Sequence, residues 1–238
     1  LDAIAAQARA FEAAGADIID VGGESTRPGH VPVDEAAELA RVVPAVRAIA
    51  AAVSIPISID TYKAAVAEAA LEAGARIVND VWALAADPRM AEVVVRAGVP
   101  VVLMHNQHGT DYHDVVPDVI AALAARVQVA EEAGIPRSQI IVDPGIGFGK
   151  TAEHNLEVID RLDELTQLGL PILLGASRKG FIGRLLDGAP PEQRLEGTAA
   201  VMAIGIARGA DVVRVHDVAP IVKVARVADA ITRRRRRQ

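Results

Sequence analysis

The chain has 238 residues, of which 51% are hydrophobic, 24% are charged and 3% are aromatic, and it contains no cysteine. This length and composition indicate a globular protein with a sizeable, mainly aliphatic core. The lack of cysteine excludes disulfides, thiolate metal sites and a thiol nucleophile. The net charge of −6 argues against a general nucleic-acid binder. The lack of cysteine fits a cytoplasmic location, which we therefore expect, and the charge predicts no nucleic-acid partner. No apolar run reaches membrane-spanning length, so we expect no membrane partner.

Helical and strand-like segments alternate along the sequence. Most alanine-rich amphipathic segments end at a glycine, which readily takes the left-handed conformation that ends a helix, and an apolar β-branched run follows. The pattern predicts seven strands, at 17–21, 56–60, 77–80, 101–105, 140–143, 172–176 and 212–215. It predicts eight helices, at 1–14, 34–52, 63–73, 88–97, 117–133, 153–168, 192–208 and 218–233.

This strict alternation predicts the fold class α/β, because each helical crossover must pack back onto a parallel sheet. Strands that are apolar on both faces fit burial on both sides. We predict one (β/α)8 TIM-barrel domain over residues 1–238, with its first strand and loop upstream of Leu1. An open doubly wound sheet is the alternative. We expect the five arginines at 233–237 to be a solvated, frayed helix end, with phosphate or nucleic-acid tethering as the alternative.

The segment 140–150 joins a buried strand to a glycine-rich turn. The strand ends in Asp143, and Gly145, Gly147 and Gly149 follow it. A carboxylate followed by glycines, which leave the backbone uncovered, at the end of a buried strand indicates a ligand-binding site. The glycine spacing matches neither the Walker phosphate loop nor the dinucleotide-binding fingerprint. The segment therefore predicts a different kind of binding site.

Polar residues follow every predicted strand, and in a parallel barrel these positions meet at the face that carries the active site. The acidic and amide side chains are Asp60, Asn79 and Asp143, and the cationic ones are Arg27, Lys179, Arg214 and His216. The first group suits a flat heterocycle that offers N–H donors. The second suits phosphate or pyrophosphate. The residue types therefore predict a heterocyclic substrate with a phosphorylated arm.

Seven motifs at these strand ends resemble the dihydropteroate synthase family. They are GGESTRPG at 22–29, SIDT at 58–61, VND at 78–80, LMH at 103–105, VDPGIGFGK at 142–150, GASRK at 175–179 and RVHD at 214–217. That family joins 6-hydroxymethyl-7,8-dihydropterin diphosphate to 4-aminobenzoate, giving 7,8-dihydropteroate and diphosphate in folate biosynthesis. The resemblance implies a transferase with a TIM-barrel fold that forms a homodimer and uses Mg²⁺.

The resemblance also implies roles for individual residues. The pterin diphosphate would contact Thr26, Asp60, Asn79, Met104, Asp143, Phe148, Lys179, Arg214 and His216. The 4-aminobenzoate would contact Thr26, Arg27, Pro28, Ser177 and Lys179, and the catalytic residues would be Asp60, Lys179, Arg214 and His216. Asp143 would bind the amino edge of the pterin and Lys179 its carbonyl side. The family's protein ligand for Mg²⁺ lies in the first loop, so we expect no metal ligand in this chain.

Several alternatives remain open. A pterin-binding methyltransferase would share the barrel and the acidic and amide residues at the strand ends. The segments Ser177–Lys179, Thr26–Pro28 and Arg214–His216 favour the synthase. A non-catalytic paralogue becomes the favoured interpretation if the full protein lacks the first loop. A phosphosugar enzyme is disfavoured by the acidic residues at the strand ends. We interpret the three histidines at the end of and after the predicted strand 101–105, His105, His108 and His113, as part of a variable surface loop rather than a metal site. Arg178 could equally form a structural ion pair or take part in the substrate site. Met104 could equally pack in the hydrophobic core or line the pterin pocket.

Overall fold

The computed structural model describes residues 1–24 and 32–233. The predicted substrate residues Thr26, Arg27 and Pro28 and the arginines at 234–237 lie outside the described residues. The chain divides into two compact units. The first consists of Leu1–Met104 with Ala125–Ile141, and the second of His105–Ala124 with the chain from Val142 onward.

Strands and helices alternate as predicted, except that two α-helices instead of one lie between the last two strands. The strands are β1 (Ile19–Gly22), β2 (Ile57–Asp60), β3 (Ile77–Asp80), β4 (Val101–Met104), β5 (Ile140–Asp143), β6 (Leu173–Leu174) and β7 (Val212–Val213). The α-helices are α1 (Asp2–Ala13), α2 (Glu35–Ala50), α3 (Ala64–Ala73), α4 (Met90–Ala97), α5 (Val115–Glu132), α6 (Ala152–Asp160), α7 (Gly180–Leu185), α8 (Leu195–Ala207) and α9 (Val218–Thr232). Short 3-10 helices cover Arg137–Gln139, Leu162–Leu168 and Pro191–Gln193. In the part of the chain described, no helix has both the length and the apolarity needed to cross a bilayer.

The helix predicted at 153–168 is divided in two. Helix α6 ends at Asp160, and the 3-10 helix Leu162–Leu168 follows it. Leu162 and Leu165 lie three residues apart and are fully buried. Because a 3-10 helix repeats every three residues, this spacing puts both leucines on one side of the tighter helix. The spacing of the two leucines is therefore compatible with the tighter helix.

The structure confirms the prediction that glycines end most of the helices. The glycines that follow the helices have positive φ at positions 15, 74, 98, 134, 169 and 209. At Gly98, φ is +64°, and the N–H group donates to the carbonyls of Val94 and Val95 at the end of α4. A residue with a Cβ would be strained in this conformation.

The first unit is built on a sheet with the strand order β1-β2-β3-β4-β5, whose last strand continues into the second unit. Strands β1 to β4 pair in parallel, and every residue of β2, β3 and β4 is buried. The register pairs Gly22 with Asp60 and Asp60 with Asn79. The polar ends of β1, β2 and β3 therefore lie side by side.

The second unit contains the end of β5 and the pair β6 and β7. Leu173 and Leu174 pair in parallel with Val212 and Val213. Val142, at the end of β5, forms a parallel bridge with Ile172. The core of this unit is aliphatic, as the composition predicts, with fully buried side chains that include Ile146, Leu162, Leu165, Ile172 and Leu174. The pairing places the segments that follow β5, β6 and β7 next to one another.

Candidate active site

Asp143 is a buried carboxylate at the end of β5, with 5% of its surface exposed. Its Oδ1 accepts a hydrogen bond of 2.7 Å from the N–H group of Gly145. Burial raises the pKa of Asp143 to about 6, against the Gly145 hydrogen bond and the charges of Lys179, Lys150 and Arg214. A buried acceptor among cations suits a ligand that donates hydrogen bonds.

The turn after β5 is packed so closely against backbone that it requires glycine. A Cβ on Gly145, where φ is +70°, would lie 1.9 Å from the carbonyl oxygen of His105. A Cβ on Gly149, where φ is +54°, would lie 2.6 Å from the carbonyl oxygen of Gln107. The glycines therefore let the chain turn tightly behind Asp143 instead of forming a phosphate loop.

We expect Gly145→Ala to destabilise the protein more than Gly169→Ala does. Both positions have a left-handed backbone, but at Gly169 no heavy atom lies within 4 Å of the added Cβ. The Gly169 variant should therefore lose about 1–2 kcal/mol, the cost of a left-handed L-residue. The Gly145 variant adds a backbone clash to this cost. Urea unfolding measures both variants, and equal losses would contradict the packing described for Gly145.

Phe148 and Lys179 lie beside Asp143. The Nζ atom of Lys179 is 4.1 Å from the centroid of the Phe148 ring, a cation–π contact. A Cβ on Gly147 would lie 3.0 Å from Cδ of Lys179, so the turn and this side chain are in close contact. A Cβ on Gly175 would lie 3.6 Å from Oδ2 of Asp143. The structure therefore brings three predicted pterin residues together.

Ser177 and His216 form a second polar group in the same unit. The Oγ atom of Ser177 lies 3.0 Å from Nδ1 of His216 and accepts a 3.2 Å hydrogen bond from the His216 backbone N–H. Arg214 follows β7, and its N–H group donates to the carbonyl of Leu174 at 3.0 Å. The charge of Arg214 also acts to lower the pKa of Asp143. The predicted diphosphate residues are thus in the same unit as the predicted pterin carboxylate.

Arg178 forms a structural ion pair, which is one of its two predicted roles. Its Nε and Nη2 atoms donate to the two carboxylate oxygens of Asp217 at 2.8 and 2.5 Å. The hydrogen bond from Arg178 holds the pKa of Asp217 below its usual value. The backbone of Arg178 is left-handed, with φ +56°. Its N–H group donates to Thr198, and its carbonyl accepts from Arg194. These contacts fix the turn between Ser177 and Lys179.

In the first unit, Asp60 and Asn79 lie side by side. They are cross-strand partners at the ends of β2 and β3, and each is 6% exposed. A Cβ on Gly22, on the neighbouring strand, would lie 3.4 Å from Cβ of Asp60. Met104 ends β4 and is 4% exposed, as either of its predicted roles requires. The first unit therefore presents a paired carboxylate and amide at adjacent strand ends.

Asp80, the last residue of β3, holds a strained turn that the sequence did not reveal. It is fully buried, and its carboxylate accepts hydrogen bonds of 2.8 Å from the N–H groups of Trp82 and Leu84. Burial raises the pKa of Asp80 to about 6, against these hydrogen bonds and the charge of Arg126. Ala83 and Leu84 have φ of 49° and 64°, which is unusual for residues other than glycine. Asp80 therefore stabilises the backbone directly after Asn79.

The sequence also did not reveal a buried ion cluster at the start of α3. The ammonium of Lys63 contacts Glu24, lies 2.5 Å from Oε2 of Glu38 and donates to the carbonyl of Val33 at 2.8 Å. The hydroxyl of Tyr62 donates to Glu24 at 3.0 Å. The side chains of Glu24 and Glu38 are 2% and 1% exposed. Glu24 and Val33 flank the segment that carries Thr26–Pro28, so the cluster links the two ends of that segment.

The histidines after β4 differ in their surroundings. His108 and His113 are exposed, as predicted for a surface loop, whereas His105 is buried. The Nδ1 atom of His105 lies 2.9 Å from Nζ of Lys150. Among the residues that the structure describes, no group of three or more His, Cys, Asp or Glu side chains could hold a metal ion.

Comparison with known proteins identifies the family. Residues 1–216 match the model of the pterin binding enzyme family. The dihydropteroate synthase of Bacillus subtilis is 51% identical over 217 residues, which cover 91% of this chain and 76% of that protein. The structure of dihydropteroate synthase from Clostridium difficile with pteroic acid has a TM-score of 0.94 at 49% identity, covering 96% of this chain and 87% of that one. The Xanthomonas albilineans enzyme in complex with 7,8-dihydropteroate has a TM-score of 0.89 at 40% identity, covering 95% and 83%.

The chain therefore belongs to the pterin-binding enzyme family, and its fold is the α/β TIM barrel predicted from the sequence. Within that family it groups with the dihydropteroate synthases, which are transferases of folate biosynthesis.

Proposed function

We propose that the chain condenses 6-hydroxymethyl-7,8-dihydropterin diphosphate with 4-aminobenzoate to give 7,8-dihydropteroate and diphosphate. The observation that carries this proposal is the buried carboxylate of Asp143, which faces the charges of Lys179, Lys150 and Arg214 in a chain about half identical to dihydropteroate synthases. The edge of an aminopyrimidinone offers two parallel N–H donors, and a carboxylate can accept both.

The pterin roles follow from the contacts around Asp143. Asp143 accepts from the 2-amino and N3 groups, Lys179 donates to the carbonyl side, and Phe148 packs against the ring. Asp60, Asn79 and Met104 are proposed to contact the pterin as well. The cation–π contact between Lys179 and Phe148 supports this assignment, because it holds a donor and an apolar surface next to the carboxylate.

The chemical step is a substitution at the pterin methylene carbon. The C–O bond breaks, the diphosphate leaves with the electron pair, and positive charge builds on the pterin methylene. The amine nitrogen of 4-aminobenzoate then attacks this carbon and forms the C–N bond. The nitrogen then loses a proton to solvent. Arg214 and His216 stabilise the negative charge that grows on the diphosphate, and Asp60 and Asp143 favour positive charge on the pterin. Catalysis rests on positioning and charge stabilisation.

The second substrate binds through residues on two segments. Thr26, Arg27 and Pro28 are proposed to line the site of 4-aminobenzoate, together with Ser177 and Lys179. The contact between Ser177 and His216 supports the proposal, because it places the serine next to a residue assigned to the diphosphate.

We also propose that Mg²⁺ binds together with the diphosphate. The described residues do not form a protein-only metal cage. Mg²⁺ often takes few protein ligands and keeps water molecules while it binds substrate phosphates. This mode of binding is compatible with a chain that offers cations, not a carboxylate cluster, to the diphosphate. No step of the reaction is assigned to the ion.

The experiment that tests the function is an assay of diphosphate release. The full-length protein is incubated with the pterin diphosphate and Mg²⁺, with and without 4-aminobenzoate. We expect release that depends on 4-aminobenzoate, that is lost on removal of Mg²⁺ with EDTA and that returns when Mg²⁺ is restored. The absence of any release that depends on 4-aminobenzoate would reject the synthase.

We further propose a cytoplasmic homodimer. A chain without cysteine fits a reducing compartment. Helices α8 and α9 pack together, and α9 exposes two apolar residues one turn apart, Val227 at 61% and Ile231 at 71%. An exposed apolar surface of this kind is typical of an interface between subunits.

We expect Ile231→Glu to convert the dimer to a monomer, because a charge would be buried in the interface. Sedimentation velocity at micromolar concentration measures the state of association. Leu185→Glu, at a leucine on α7 that is 62% exposed, is the control and should leave the dimer intact. A wild-type protein that sediments as a monomer would contradict the proposal.

A further inference from the structure

We propose that Lys150 and His105 form a buried support that positions Asp143 and Phe148 for the pterin. The inference rests on the proposed function and extends it, because that function gives no role to His105 and gives Lys150 none beyond its charge. Lys150 ends the glycine-rich turn, and His105 directly follows β4. Both belong to the second unit.

Burial lowers the pKa of Lys150 to about 7, and the protonated side chain has three acceptors. Its Nζ atom lies 2.9 Å from Nδ1 of His105, 3.1 Å from the carbonyl oxygen of Gly145 and 3.2 Å from that of Phe148. An ammonium has three N–H donors, so this arrangement can use all of them. The side chain therefore acts as a fixed cross-link within the turn.

His105 completes the cross-link from the segment after β4. It is 6% exposed, and its backbone N–H donates to the carbonyl of Asp143 at 2.8 Å. Burial, with the charge of Lys150, lowers the pKa of His105 to about 3, so the ring is neutral at physiological pH. Since Lys150 donates to Nδ1, the ring proton lies on Nε2. The imidazole is therefore a fixed acceptor, not a proton carrier.

The cross-link reaches both pterin residues. The Gly145 peptide donates its N–H to Oδ1 of Asp143 at 2.7 Å and accepts from Lys150 at its carbonyl. The carbonyl of Phe148 accepts from the same ammonium, and its ring contacts Lys179. Loss of the Lys150 ammonium would leave the Asp143 carboxylate and the Phe148 ring less well oriented. Lys150 is therefore a positioning residue.

Lys150 also influences the protonation of Asp143. The groups that act on this carboxylate are the Gly145 N–H and the charges of Lys179, Lys150 and Arg214, and all of them lower its pKa against burial. His105 is neutral and adds no charge. Without Lys150, the pKa of Asp143 should rise further. Pterin affinity should then be lost at a higher pH during acidification, because the protonated carboxyl can no longer accept two hydrogen bonds.

The test is the variant Lys150→Met. Calorimetric titration with 6-hydroxymethyl-7,8-dihydropterin diphosphate measures affinity between pH 5 and 8, and steady-state kinetics give KM for 4-aminobenzoate. We expect affinity to fall about tenfold or more, the effect of losing a hydrogen bond to a charged group. The acid limb of the affinity profile should move to higher pH, and KM for 4-aminobenzoate should change less than about twofold.

The matched control is Lys223→Met, which removes the same charge from an exposed position on α9 and should leave all three quantities unchanged. Wild-type pterin affinity and an unshifted profile in Lys150→Met would overturn the inference.

A pair of histidine variants keeps the test valid if Lys150→Met does not fold. His105→Asn retains an acceptor at the position of Nδ1 and should bind within about threefold of wild type. His105→Phe keeps a ring without the acceptor and should lose about tenfold. Equal affinities in these two variants would overturn the inference. If the wild-type protein does not bind the pterin diphosphate, the proposed function fails, and this inference fails with it.

Discussion

Replacing Asp143 with asparagine is expected to weaken pterin binding and to make the ligand-free protein more stable at neutral pH. Asparagine keeps an acceptor oxygen for the Gly145 N–H group, which bonds to Oδ1 of Asp143. It cannot accept two charge-assisted hydrogen bonds from the pterin edge. Each such bond contributes about 1.5 kcal/mol or more, so losing both should weaken binding about 100-fold.

The gain in stability follows from proton linkage. Burial raises the pKa of Asp143 from 3.8 to about 6. Between these values the folded protein holds a proton that the unfolded chain has lost, so folding stability falls as the pH rises through this window. Above pH 6, ionisation of the carboxylate costs the folded state about 3 kcal/mol. An uncharged asparagine should avoid most of this cost.

Two measurements check both parts of the Asp143 prediction. Calorimetric titration gives the pterin affinity, and urea unfolding at pH 5 and pH 8 gives the stability. Asp187→Asn is the control, because Asp187 is exposed and its φ of 51° suits asparagine. Unchanged pterin affinity would reject the role of Asp143. A variant less stable than wild type at pH 8 would reject the effect ascribed to burial.

Replacing Lys63 with methionine is expected to lower the free energy of unfolding by about 3–5 kcal/mol, because two buried glutamates lose their shared counter-charge. Burial by itself would lower the pKa of Lys63, but the hydrogen bonds to Glu24 and Glu38 raise it well above its usual value. The lysine is therefore charged at neutral pH. Methionine fills the space of the aliphatic stem and supplies no charge.

Urea unfolding followed by circular dichroism measures the Lys63 effect. The control is Lys223→Met, at an exposed lysine. The double variant Lys63→Met with Glu38→Gln should recover part of the loss, because it removes one of the two uncompensated charges. A loss below about 1 kcal/mol in Lys63→Met, the usual value of a surface pair, would show that the cluster is not a buried ion network.

The strand ends were predictable because local chemistry determines them. Asp60, Asn79 and Asp143 each end an apolar β-branched run, and before the runs of Asn79 and Asp143 a glycine marks where the preceding helix stops. Such patterns lie within a few residues of one another, so the sequence contains them directly. The parallel pairing of Asp60 with Asn79 then follows from the alternation of strands and helices.

The supports behind these strand ends were not predictable in the same way. Lys63 meets Glu24 across 39 residues and Glu38 across 25, and Lys150 meets His105 across 45. Local spacing carries no signal for such pairs, because the fold decides which distant side chains meet. Helix α7 was missed for another reason, since its six residues are too few to show a helical period.

The glycine-rich turn has a consequence for inhibitor design. A side chain at position 145 would meet the backbone of His105, and one at position 149 would meet the backbone of Gln107. A compound that takes its contacts from the main chain of this turn would bind atoms that one mutation can hardly alter without damaging the turn. Escape from such a compound should therefore be rarer than escape from one that relies on side chains.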